Sequence, residues 1–166
     1  MHRIAFTCLL LALSGCGYQS GDYEWRSLYR EDVQTVAVPI FTNKDFHRGV
    51  EFALTKAVIN QLEASTPYKV IPKERADTIL EGMVTRVKTN PISNDSNTAL
   101  PQEQLVTMEI DFTWKDLRTG KILVQRRGFE QTAPYYPTLG EGDFAGNQQA
   151  VERLAVAIVN ELQANW

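Results

Sequence analysis

Two cysteines and two histidines are the only thiols and imidazoles in 166 residues, and their placement restricts what they do. Cys16 closes the run Leu13-Ser14-Gly15-Cys16, directly after about ten largely apolar residues (4–13) and the short basic start Met1-His2-Arg3. A positive start, a brief apolar stretch and small residues before a cleavage point describe a secretory signal. The stretch is too short to span a bilayer, which takes roughly 20 residues. Leu-Ser-Gly-Cys has the form of a bacterial lipobox. It predicts a signal peptide over 1–15, with Cys16 diacylated on sulfur and acylated on its new amine by palmitate-type chains. The mature chain would then hold 151 residues, one histidine (His47) and a formal charge of -4. A lipidated Cys16 leaves no thiol for a disulfide or for cysteine catalysis. One acyl chain anchors only marginally, whereas three hold permanently at about 0.8 kcal/mol per buried CH₂. Gly17 follows the cysteine where an inner-membrane lipoprotein carries aspartate, which points to the outer membrane.

The remaining candidates are sparse. His47 stands two residues after Asp45 in a polar turn, and zinc sites with one histidine and no cysteine are uncommon. A solvated loop histidine is the expectation. Glu109 and Asp111 lie on one face of a strand, about 7 Å apart by strand geometry. That spacing would suit a carboxylate pair, but nothing else gathers around it, and a solvated sheet face is expected. No P-loop, dinucleotide fingerprint or nucleophile elbow occurs, so neither an enzyme nor a cofactor is predicted. A sequence pI of about 5.4 argues against nucleic acid as a partner. Arg86 and Lys88 share a face of one strand, Arg126 follows Lys121 on the next hairpin, and Arg127 points away from Arg126. Arg86, Lys88 and Arg126 gathered on an open sheet face would bind phosphate or carboxylate groups, whereas scattered surface charge is the plainer reading. Tyr135, Tyr136 and Phe144 would serve as an interface anchor or cover a sheet edge.

These side chains need a scaffold, and periodicity supplies one. Residues 16–31 have no clean period and form a tether, with Trp25 and Tyr29 packing on the domain edge. A first strand is expected over 33–41, with Val36, Val38 and Ile40 on one face. After a polar turn (42–49), Val50, Ala53, Leu54, Ala57, Val58 and Leu62 recur at helical spacing, predicting an amphipathic helix over 49–64. Pro67 ends it. Short and long strands follow over 68–71 and 79–89, then a thirteen-residue polar loop over 90–102. Val106, Met108, Ile110, Phe112 and Trp114 alternate with polar residues, the strongest strand signal in the chain. A hairpin turn at 116–120 leads into a strand over 121–131, then a loop over 132–146. Val151, Leu154, Ala155, Ile158 and Leu162 mark a second helix, running to Trp166. The expected fold is α+β: a mixed four- to five-stranded sheet with two amphipathic helices packed on one face. Residues 32–166 make a single domain, large enough to bury roughly 70 % of its unfolded surface.

Several segments, in order, resemble one family. Leu13-Ser14-Gly15-Cys16-Gly17-Tyr18 resembles the start of the lipopolysaccharide-assembly lipoproteins of the LptE family. Residues 35–43, Thr-Val-Ala-Val-Pro-Ile-Phe-Thr-Asn, are similar to that family's first strand. Residues 54–62 resemble its first helix, and Ala76-Asp77-Thr78-Ile79-Leu80-Glu81-Gly82 the opening of its next long strand. The resemblance implies a non-enzymatic outer-membrane lipoprotein, facing the periplasm and plugging a large β-barrel of the LptD type. That barrel delivers lipopolysaccharide to the cell surface, and family members contact the anionic head group through basic side chains. Those basic residues lie in variable segments, so Arg86, Lys88 and Arg126 stand as candidates from this chain alone. The strand-helix-strand opening is also similar to small lipoproteins that regulate a cell-wall synthase, the alternative reading. A lipid-anchored hydrolase using Glu109 and Asp111 is a third.

Overall fold

The structure, a computed structural model, describes residues 28–94, 101–140 and 142–163. Its elements in chain order are β1 (Thr35–Ala37), β2 (Thr42–Asn43), α1 (Val50–Ser65), β3 (Lys69–Val70), β4 (Thr78–Asn94), β5 (Pro101–Asp116), β6 (Ile122–Tyr135) and α2 (Asp143–Glu161). The strands form one sheet in the order β3-β1-β4-β5-β6, with β2 also beside β4. β1, β2 and β3 pair in parallel, while β4, β5 and β6 pair antiparallel. This is the mixed α+β sheet expected, with six strands rather than four or five.

The extra strand comes from Pro39. Pairing stops at Ala37 and resumes at Thr42, because proline has no N–H to donate to a ladder. The chain swings as it passes, so Ile40 is exposed rather than aligned with Val36. Phe41 turns inward instead, and its amide donates to the buried Thr55 hydroxyl of α1 at 3.0 Å. Gly82 makes room for the Phe41 ring, since a Cβ there would meet it at 3.1 Å.

Other expected boundaries also move. The loop predicted over 90–102 is mostly hairpin: β4 continues to Asn94 and β5 begins at Pro101, leaving only 95–100 outside the described residues. Pro91 is tolerated because, among the described residues, β4 has no strand partner on its other side beyond Val84, and proline suits such an edge. Pro134 sits in β6, the sheet's last strand, for the same reason. The predicted loop over 132–146 is divided between the end of β6, a 3₁₀ turn at Pro137–Leu139 and the start of α2. Gly146 lies inside α2, where the helix meets the sheet: a Cβ there would come within 2.5 Å of the Tyr135 ring and 3.0 Å of Val106.

Both helices pack on one face and on each other, α1 toward β2–β4 and α2 over β5 and β6. The alternating residues of β5 from Val106 to Trp114 are all buried beneath them, with Leu80, Val84, Leu54, Val58, Leu154 and Ile158. Tyr68 joins this core, its ring 5.8 Å from Trp114 and 5.8 Å from Tyr29. Tyr29 thus packs on the domain edge as expected, its hydroxyl donating to the Ser65 carbonyl at 2.8 Å. Trp25, the signal segment, Cys16 and Trp166 lie outside the described residues. Among those described, no helix is long and apolar enough to cross a membrane.

Candidate functional site

With one sheet face under helices, the residues between those buried positions define the other. Along β4 and β5 these are Glu81, Met83, Arg86 and Lys88, paired across the ladder with Thr113, Asp111, Glu109 and Thr107. All eight are exposed or half-buried. The alternation that buries one side of β5 necessarily presents the other.

A register shift between Val84 and Arg86 keeps Arg86 and Lys88 on this open face. Arg86 lies opposite Glu109, its guanidinium 3.7 Å from the carboxylate. Lys88 lies opposite Thr107 and has no ion pair among the described residues. Arg126 does not join them. It is the partner of Phe112, which faces the helices, and its Nε and Nη2 donate to the Glu161 carboxylate of α2 at 2.8 and 2.6 Å. Parity along β6 decides this: Val124 is buried, so Arg126 two residues on shares the helix side.

Arg127 takes the open side instead. It borders a shallow depression of about 460 Å³ with Glu81, Met83, Asp111, Thr113 and Gln125. The next residue, Gly128, adopts φ +60°, a left-handed conformation that favours glycine. Its amide donates to Asp111 at 2.8 Å. Asp111 therefore fixes a bulge, and Glu109 engages Arg86. The two carboxylates on which a hydrolase reading would rest are both used structurally.

His47 is held rather than loose. Its Nδ1 is 2.5 Å from Asp45 Oδ1, while Asp45 Oδ2 accepts the Val87 amide at 3.0 Å. Burial pushes the Asp45 carboxyl up, but hydrogen bonds from His47 and from the Val87 and His47 amides outweigh it and hold the group below its ordinary value. Among the described residues no cluster of three or more His, Cys, Asp or Glu side chains could hold a metal ion.

The three late aromatics separate. Tyr135 is fully buried under α2, with its hydroxyl donating to Gln104 at 2.8 Å. Tyr136 and Phe144 are exposed. Phe144 borders a second groove of about 480 Å³ between the helices, with Arg48, Lys56 and Val151 among its walls.

The family model for LptE, lipopolysaccharide-assembly, matches residues 33–164. The chain belongs to the LptE family. Its sheet and helices are similar to those of the PelC dodecamer from Paraburkholderia phytofirmans, at 16 % identity over 82 % of this chain and 93 % of that one, with a TM-score of 0.55. They are similar also to a lipoprotein B from Nitrosomonas europaea, at 11 % identity over 80 % and 83 % of the chains, TM-score 0.55. A hypothetical protein from Chlamydia trachomatis matches at 9 % identity over 80 % and 99 %, TM-score 0.54. At such identities the likeness is one of fold. No curated protein matches the chain. For this LptE-family chain the match covers nearly all of the described domain.

Proposed function

We propose that this chain is a lipid-anchored outer-membrane assembly factor. It plugs a large β-barrel of the LptD type and helps deliver lipopolysaccharide to the cell surface. The observation that carries the reading is the family match over 33–164, supported by the lipobox at Cys16. One acylated residue, Cys16, tethers the chain through residues 16–31 to outer-membrane lipid, with the domain on the periplasmic side. The uncovered face of β4, β5 and β6 and the β4–β5 hairpin then meet the barrel lumen or the lipid. No catalytic step is assigned to the chain.

Contact with an anionic head group falls to Arg86 and Lys88. Arg126 would serve only by releasing Glu161, and Arg127 is better placed. A charge-assisted hydrogen bond to phosphate is roughly twice as strong as a neutral one, so few such contacts are needed. Mild detergent extraction of membranes carrying the lipidated chain should copurify a large β-barrel protein identified by mass spectrometry. Depletion should lower surface lipopolysaccharide. Recovery of a periplasmic enzyme alone, or altered wall synthesis with normal surface lipopolysaccharide, would overturn the proposal.

A further inference from the structure

The turn between β2 and α1 is held by a network of hydrogen bonds although it lies at the surface. Asn43 Oδ1 accepts the Asp45 amide at 2.8 Å, and Asn43 Nδ2 donates to the His47 carbonyl at 2.9 Å and to Glu51 at 2.8 Å. Asp45 accepts the amides of His47 and Val87. Glu51 accepts the Gly49 amide at 3.0 Å, and the Lys44 amide donates to the Val84 carbonyl at 2.9 Å. The turn is thereby stapled to both β4 and α1. At its centre Phe46 is 100 % exposed. Its ring therefore contributes nothing to the core. Lys44 and Arg48 flank it, both exposed and neither in an ion pair with a described residue. The one acid between them, Asp45, is turned inward with its side chain 15 % exposed.

We infer that Phe46 is a preorganised docking knob that fills an apolar socket rimmed by carboxylates on a protein partner. The inference rests on the reading of this chain as a subunit seated on an envelope barrel, and it locates one contact of that assembly. Three features point to a socket. Aromatic anchors in desolvated pockets dominate interface energies. A turn already fixed by its own hydrogen bonds loses little conformational freedom on docking. The outward cations select an acidic rim. A bilayer fits less well, because affinity for lipid scales with apolar area, and residues 42–49 offer a single large apolar side chain.

The test uses the full lipidated chain in cells, with a photoreactive amino acid at position 46 in one strain and at position 113, on the open sheet face, in another. The expected result is capture of the same β-barrel protein from position 46. Phe46→Ala should reduce the copurified barrel about tenfold, with Phe46→Leu retaining most of it. Lys44→Glu with Arg48→Glu should weaken copurification similarly. The melting temperature of Phe46→Ala should not move, since the ring touches nothing within the domain. Capture of lipid alone, or of nothing, from position 46 while position 113 captures the barrel overturns the knob and leaves the docking reading standing. Failure at both positions, with no barrel copurified, overturns both.

Discussion

Glycine inside a helix costs about 1 kcal/mol relative to alanine, so Gly146→Ala would stabilise α2 if helix propensity decided the outcome. The packing predicts the reverse. A Cβ at 146 would stand 2.5 Å from Tyr135 Cδ1, 2.9 Å from Cγ and 3.0 Å from Val106 Cγ2. None of these atoms is the free end of a flexible chain. Tyr135 is fully buried with its hydroxyl bonded to Gln104, and Val106 is fully buried in the middle of the sheet. Relief requires α2 to lift off β5 and β6 or the ring to leave its rotamer. Overpacking of this kind costs about 1–3 kcal/mol, and contact at ring carbons belongs at the upper end. After the propensity gain of about 1 kcal/mol, a net loss of about 2 kcal/mol remains. For a domain of this size that is a fall of roughly 4–8 °C in melting temperature. Thermal and urea unfolding of the parent, G146A, Y135L and the double variant would close the cycle. The cost of G146A should shrink in the Y135L background by 1 kcal/mol or more, to order of magnitude. If G146A instead stabilises the protein in the parent background, α2 does not rest on Tyr135 and the packing argument fails.

Thr55→Val keeps the shape of a buried side chain but removes the hydroxyl that accepts from the Phe41 amide and donates to the Glu51 carbonyl. An unsatisfied buried amide costs about 1–3 kcal/mol, so urea unfolding should show a loss of that order, with Thr55→Ser milder. Acid should destabilise the domain through specific carboxylates. The Thr35 hydroxyl lowers Asp77 and the Thr119 amide lowers Asp116. Because their folded values lie below the unfolded one of about 3.9, their contribution is present above that pH and is lost as pH falls through the folded values. Stability should be flat from about pH 5 to 7 and fall below about pH 4, and Asp77→Asn should flatten that limb. Arg86→Glu with Lys88→Glu should weaken binding of anionic lipid vesicles several-fold at low salt, whereas Arg126→Ala should leave it unchanged. Equal binding by the reversed variant would remove Arg86 and Lys88 from the contact.

How much of this was legible depends on which signals are periodic. The helices and β5 could be read because burial recurs with the element's own period: every second residue from Val106 to Trp114, and Leu54, Val58 and Leu62 four apart. Breakers misled because local propensity says nothing about edges. Pro91 and Pro134 stay within strands where no ladder asks for their missing N–H, and Gly146 is helical because a neighbour needs the space. The basic residues were only half legible. Arg86 and Lys88 share a face as expected. Arg127 points away from Arg126 as alternation requires, whereas the register shift between Ile110 and Phe112 comes from a bulge at Gly128 that no composition or spacing announces. The buried Val124 was the one usable clue that Arg126 turns inward. Phe46 carried no signal at all, being a lone aromatic in a polar turn.

The open face explains why a chain of net negative charge need not repel an anionic ligand, and why it does not attract one strongly from afar. Glu81, Glu109, Asp111 and Glu130 interleave there with Arg86, Lys88, Lys115 and Arg127, as the pairing of β4, β5 and β6 places them. Four charges of each sign a few ångströms apart cancel beyond a Debye length of about 8 Å at physiological salt. Recognition of an anionic group on this face, as proposed above, would therefore be a contact effect. Arg86 is committed to Glu109, and Asp111 to the Gly128 amide. Lys88, Lys115 and Arg127 remain as cations without an ion pair among the described residues. A ligand held by Arg86 and Lys88, as proposed, would have to compete with Glu109 for Arg86 and bring its anionic groups to the spacing these side chains set. Selectivity would then lie in geometry rather than in net charge, which is what the proposed place beside a membrane rich in anionic groups would require.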